Sequence, residues 1–326
     1  MADLPPALTY RGIPDQLRAG LHETAQAAQD YLRAHLATET LRAYRTGFEQ
    51  FHVWCQQHQL AHVPADPDSV RLFISARAQE GKHVSTLTKQ LAAIRFAHEL
   101  QDLPSPTDHP LVKKTMAGIR RIHGSRPRQQ KAPLLDQHLL QMLTLCPPTL
   151  QGARDRAILA LGFAGAFRRG ELAALDVSDL TFHADGHLSC LLRRSKTDQA
   201  GQGFIKPILN GQRLQPVLHL RTWLEQAGIS EGPLFRRIDW ADGATEQRLS
   251  GQWIWRVVKK YAEHIGLDPA MIGAHSLRAG FITSAGEHNV ELSRIMEVTG
   301  QTDPRTPLKY LRRANLFKGH AGSGFL

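Results

Sequence analysis

"LTFHADGHLSCLLRRSKTDQAGQGFIKPIL", Leu180 to Leu209, is where the chain changes period. Short runs rich in Leu, Phe and Ile are separated by Ala-Asp-Gly and by a polar Lys-Thr-Asp-Gln-Ala-Gly-Gln-Gly stretch. Apolar runs of this length between turn formers predict a small antiparallel sheet of about three strands. The flanking sequence predicts helices. "RDRAILALGFAGAF" upstream predicts a strongly apolar, buried helix, and another helix follows Asp136. Downstream, "QWIWRVVKKYAEHIG" places Ile254, Val257, Val258, Tyr261 and Ile265 on one helical face. In "LSRIMEVTG", Leu292, Ile295, Met296 and Thr299 form a further stripe.

Working towards the N-terminus, the sheet disappears and helical periods remain. "ETLRAYRTGFEQFHVWCQQH" puts Leu41, Tyr44, Phe48, Phe51 and Cys55 on one face. Asp66-Pro67 suits a helix start, since Asp offers a capping oxygen and Pro fits the first turn. Val70, Phe73 and Ile74 would then point inward. Ser85 opens a third helix with Leu87, Leu91 and Ile94 on its stripe. "DLPSPTDHP" interrupts the pattern. A short helix near Leu111 to Ile122 ends at Gly124. These signals divide the chain into a leader (1–36), a helical domain (37–123), a basic linker (124–133) and a second domain (134–326). The expected fold is mainly α: an N-terminal helical domain, then an α+β domain with a small antiparallel three-stranded sheet.

The 326 residues suffice for two domains with cores, and 42% hydrophobic residues fit a globular protein. The net charge of +10 implies either a tolerated surface field or a polyanionic partner, with nucleic acid first and an anionic membrane surface second. No apolar run has the length of a membrane span, and "MADLPPALTYRGIPDQLRAG" lacks the layout of a signal peptide. Cys55, Cys146 and Cys190 have no metal-ligand spacing and read as reduced thiols of a cytoplasmic protein.

Four stretches of the second domain hold chemically suggestive groups. "GAFRRGELAAL" carries Arg168 just before a short helix. "RRSKTDQAG" carries Lys196 in the predicted hairpin turn. "AHSLRAG" carries His275 and Arg278, three apart and therefore on one side of a helix. "VTGQTDPRTPLKYLRRANLF" carries Gln301 and, nine residues later, Tyr310. Taken singly, each is an ordinary surface or core residue. In this order, and with this local wording, they resemble the tyrosine recombinase (phage integrase) family. "FRRGELAAL" resembles its Arg-x-x-Glu-Leu box, "SKTDQAG" its lysine hairpin and "HSLRAG" its His-x-x-Arg box. The N-terminal helices resemble the core-binding domain of its Cre and Xer members. The likeness spans about residues 36 to 320.

The resemblance implies site-specific DNA cleavage and rejoining through a 3′-phosphotyrosyl bond, with Tyr310 as nucleophile. Covalent retention of the bond energy removes any need for ATP. Arg168 and Arg278 would grip the non-bridging oxygens through planar donor forks. Lys196 would protonate the leaving 5′-oxygen, and His275 would accept a proton or donate to the phosphate. No metal or other cofactor is implied, because the arginines supply the positive charge. Gln301 departs from the family, which usually has His, sometimes Trp, at this place. A glutamine amide can donate a hydrogen bond but cannot carry a proton. Glu171 and Asp176 either fix Arg168 or serve helix and turn.

Double-stranded DNA with paired inverted half-sites is the implied partner. It would be clamped by two domains in a homotetramer on two sites, exchanging strands through a Holliday junction in the bacterial nucleoid. Candidate backbone and groove contacts are Arg42 and Arg45 on the first helix, and Lys82, Lys89 and Arg95 on or near the third. Arg120, Arg121, Arg126 and Arg128 lie at the linker. Two competing readings share this constellation. One is a catalytically weakened DNA-binding regulator on the same fold; the other is a type IB topoisomerase without site specificity.

Overall fold

The computed structural model describes residues 23–24, 27, 31, 38–124, 131–193, 203–273 and 275–314, with 38 and 312–314 as backbone only. The chain divides into two units, Met1–Arg128 and Gln129–Leu326.

The first unit is helical: α1 (Thr38–Gln57), α2 (Pro67–Gln79), α3 (Val84–Glu99) and α4 (Pro110–His123). Asp66 caps α2 as its chemistry predicts, its Oδ1 accepting from the Asp68 N–H at 2.7 Å. The third helix starts one residue earlier than Ser85. His83 takes the capping role, and its Nδ1 accepts the Ser85 N–H at 3.2 Å. The apolar stripes meet in one core of Phe48, Phe51 and Cys55 with Val70, Phe73, Ile74, Leu87, Ile94, Val112 and Met116. Gly124, in the left-handed region at φ 69°, ends α4.

The second unit begins with α5 (Asp136–Thr144) and α6 (Leu150–Ala164). Burial of α6 is almost all-round, the consequence of apolar residues on every face. After α7 (Arg169–Ala174) come β1 (Leu180–Phe182), β2 (Leu188–Leu192) and β3 (Phe204–Ile208). They form the antiparallel sheet β1-β2-β3, with Cys190 opposite Lys206. The chain continues through α8 (Pro216–Gln226), β4 (Arg236–Ile238), β5 (Ala244–Arg248) and α9 (Gly251–His264). The last elements among the described residues are α10 (Ser276–Glu287), α11 (Leu292–Thr299) and α12 (Arg305–Ala314).

The hairpin β4–β5 is an addition to the expected fold. Its sequence, "RRIDWADGATEQR", has no apolar alternation to announce a strand. The hairpin is held instead by its turn: Asp239 Oδ1 accepts the Ala241 and Gly243 N–H groups, each at 2.9 Å. Behind it lies the main core, where Trp223 Nε1 donates to Leu234 O at 2.9 Å and the Tyr261 hydroxyl to Asp155 Oδ2 at 3.2 Å. All three cysteines are buried and free. Among the described residues, no helix is long and apolar enough to cross a membrane.

Candidate active site

The site is built around the turn that follows α6. Gly165 caps that helix, and Ala166 takes a left-handed conformation at φ 47°. The Phe167 N–H folds back to Gly162 O at 3.0 Å. This bend leaves two successive carbonyls facing other elements. Gly165 O accepts from Lys206 Nζ at 2.8 Å, and Ala166 O accepts from Arg278 Nη1 at 2.8 Å. Two residues later, Arg168 is the N-cap of α7. Glu171 serves it twice: Oε2 accepts the Arg168 N–H at 2.9 Å, and Oε1 accepts from Arg168 Nη1. One carboxylate thus starts the helix and holds the guanidinium, so the two roles foreseen for Glu171 belong together. Asp176 has a turn role instead, pairing with Arg248 and Arg193.

Arg278 lies in the first turn of α10 and is buried, at 5% exposure. His275 is the exposed N-cap of that helix and not a member of it. The shared helical face expected for the pair is therefore a helix residue and its preceding cap. The helix is pinned by the segment that enters the unit. Leu134 N–H donates to Ser276 O at 3.0 Å and Asp136 N–H to Ser284 Oγ at 3.2 Å. Gly280 permits this approach: a Cβ there would lie 1.7 Å from Leu134 O.

Gln301 follows α11, which ends at left-handed Gly300, φ 63°. The Gln301 N–H reaches Met296 O at 3.3 Å, and its side-chain Oε1 is buried without a protein partner. Rotating the terminal amide exchanges O and N, so the same place can hold a donor. Half-buried Tyr310 sits on α12, which packs against α10 and α11.

Electrostatics ties these parts together. Burial first, and Arg168 second, push the Arg278 guanidinium down to about 10, while Glu171 and Tyr310 act in the opposite direction. It stays charged at neutral pH. Its Nη2 is buried and has no protein partner. A buried, charged donor of this kind costs free energy until an acceptor arrives. Two guanidiniums and a phenol thus gather here, an arrangement with the charge and donors to hold an anion.

Lys196, Arg126 and Arg128 lie outside the described residues. Arg42, Arg45, Lys82, Lys89, Arg120 and Arg121 are exposed on the first unit. Arg95 is drawn into an ion pair with Asp108, which also holds Lys113 at 3.1 Å. Lys206 was not anticipated, although strand period would have found it: Phe204, Lys206 and Ile208 alternate onto the inward face.

The sequence model of the phage integrase family matches residues 134–315, and that of the phage integrase N-terminal SAM-like domain matches 29–100. The chain is 34% identical over 300 residues to an integrase/recombinase XerD homolog of Selenomonas ruminantium, covering 90% of this chain and 87% of that one. It is 23% identical over 324 residues to the recombinase Cre of Escherichia phage P1, covering 94% and 92%. In fold it is similar to XerH site-specific recombinase bound to its palindromic difH substrate, with TM-score 0.64 and 16% identity, covering 85% and 77%.

Proposed function

The chain belongs to the phage integrase family and is a site-specific tyrosine recombinase, and from that premise we propose how its own residues carry the reaction. The Tyr310 hydroxyl attacks a DNA phosphodiester. A bond forms between phosphorus and the phenolic oxygen while the bond to the 5′-oxygen breaks. The phenol gives up its proton, and His275 either takes it or donates to the phosphate. The departing 5′-oxygen takes a proton from Lys196. Arg168 and Arg278 hold the non-bridging oxygens, whose charge grows in the transition state. Gln301 adds a hydrogen-bond donor.

One observation carries this reading: the buried, unpartnered Nη2 of Arg278 lies in the same cluster as Arg168 and Tyr310. Interior donors are almost always satisfied, so an orphaned one marks the place of a missing acceptor. A phosphate oxygen suits it in charge and as a hydrogen-bond acceptor. The exposed basic residues Arg42, Arg45, Lys82, Lys89, Arg120 and Arg121, with Arg126 and Arg128, then contact the duplex. Arg95 contributes less, being neutralised by Asp108. Paired inverted half-sites, a homotetramer, a Holliday-junction intermediate and work at the bacterial nucleoid in the cytoplasm follow from the same reading.

A suicide substrate nicked beside the cleavage point tests it. Wild type should form a covalent protein–DNA adduct on its own site, and Tyr310→Phe should form none. An adduct that persists in Tyr310→Phe, or a wild type that makes none on that site, overturns the assignment. Relaxation of plasmids regardless of sequence would point to topoisomerase activity instead. The mass of the complex on paired sites counts the protomers.

A further inference from the structure

Lys206 is 1% exposed, on the middle of β3. Its Nζ donates to Gly165 O at 2.8 Å and to Val298 O at 2.7 Å. The rings of Phe167 and Phe204 lie 5.2 and 5.5 Å from it. Both acceptors are helix-terminal carbonyls. Gly165 caps α6, and Val298 belongs to the last turn of α11. Such carbonyls have no partner within their own helix, and they carry the negative end of the helix dipole. One ammonium therefore caps two helices at once. The two acceptors also have a common relation to the site: each precedes a proposed phosphate-binding residue by three positions, Arg168 in one case and Gln301 in the other.

We infer that Lys206 is a positioning residue of the recombination site, tying the turn that carries Arg168 to the turn that carries Gln301 and so fixing their separation. It acts through those two residues and does not touch the phosphate. The inference rests on the reading of the site given above. A purely structural role would be served at least as well by an apolar side chain among two phenylalanines, since an interior charge costs desolvation. An apolar side chain cannot hold carbonyls of two separate segments. A second grip on the Arg168 turn from another element comes from α10, through Arg278 to Ala166 O. Neighbouring carbonyls of one bend are thus held from the sheet and from the His-x-x-Arg helix.

The charge of this clamp is sensitive to pH. Burial brings the Lys206 ammonium down to about 7. Of the groups facing it, Glu171 favours the charged form, Arg278 and Arg168 oppose it, and Cys190 on β2 favours it weakly. A charged donor makes hydrogen bonds about twice as strong as a neutral one. The clamp is therefore firm below neutrality and slackens as pH rises through about 7.

Single-turnover cleavage of the suicide substrate tests this, together with DNA affinity and thermal unfolding. Lys206→Met should unfold at or above the wild-type temperature at pH 7, bind DNA equally well and cleave at least tenfold more slowly. The deficit should shrink as pH goes from 6 to 8.5, and it should be smaller in a Gln301→Ala background. A second measurement needs no change at Lys206: the advantage of wild type over Gln301→Ala should also shrink over that range. Unchanged cleavage in Lys206→Met, or an equal deficit at every pH and in both backgrounds, overturns the inference. So does a wild-type advantage over Gln301→Ala that is constant with pH. Absence of any adduct with wild type would instead defeat the underlying reading of the site.

Discussion

Gln301 stands where the resemblance leads one to expect histidine or tryptophan, and its surroundings suit an amide. Its side-chain Oε1 is buried and has no protein partner. A position that only donates to a phosphate oxygen tolerates an amide; one that moves protons does not. Gln301→His should therefore leave cleavage equal or raise it, since histidine also donates. Gln301→Ala removes a transition-state donor and should lower single-turnover cleavage by about 100-fold at unchanged DNA affinity. Slower cleavage in Gln301→His would mean the pocket is shaped around the amide. Arg168, His275, Arg278 and Tyr310 stand out in the sequence because order and local wording single them out together. Lys206 does not, because its function lies in two backbone carbonyls separated by more than a hundred residues of sequence. Only its inward register on β3 betrayed it.

At the scale of elements, the helices were legible and the hairpin β4–β5 was not. Helices α1, α2, α6 and α9 carry apolar stripes or caps that physics requires. Strands β4 and β5 bury almost nothing, so no period marks them. The three-stranded sheet was readable from its apolar runs, but its purpose was not. β3 supports the α11 terminus twice, through Lys206 on Val298 and through Phe204 against Gly300. Helix α10 depends on an equally local feature. Gly280 lets the Leu134 backbone pass within a distance that no Cβ allows. Gly280→Ala must push α10 off that segment, taking Arg278 with it. We expect it to lose about 2–4 kcal/mol of stability, above an ordinary overpacking cost because the obstacle is backbone. Cleavage should fall at least tenfold in the protein that remains folded. Urea unfolding beside adduct formation checks both, and a stable, fully active variant would show that α10 has room to move.

For the whole molecule, the buried titratable groups divide the pH axis among themselves. His62, His98 and His219 are held below their ordinary value, chiefly by burial. The unfolded chain takes up protons at these sites first as pH falls, so they destabilise the fold below about pH 6.5. Cys55, Cys146 and Cys190 are pushed up to about 11, 11 and 12 by burial. The unfolded thiols ionise first, so stability falls again above about pH 9. The interval between belongs to Lys206. Unfolded, it keeps its proton to about 10.5; folded, it releases it at about 7. The unfolded state therefore binds more protons across this interval, and stability rises with pH. One group contributes a slope of at most about 1.4 kcal/mol per pH unit, and the slope is fully developed only above the folded value. Wild type should accordingly gain about 1–2 kcal/mol between pH 7 and 8.5, while Lys206→Met should gain little and should exceed wild type at pH 7. The same deprotonation that stabilises the fold is the one that slackens the clamp on Arg168 and Gln301, so stability and cleavage should part as pH rises. Denaturant unfolding of both proteins at half-unit steps reads the difference. Parallel curves would mean that Lys206 stays charged inside the protein, its two helix-terminal carbonyls outweighing the loss of water.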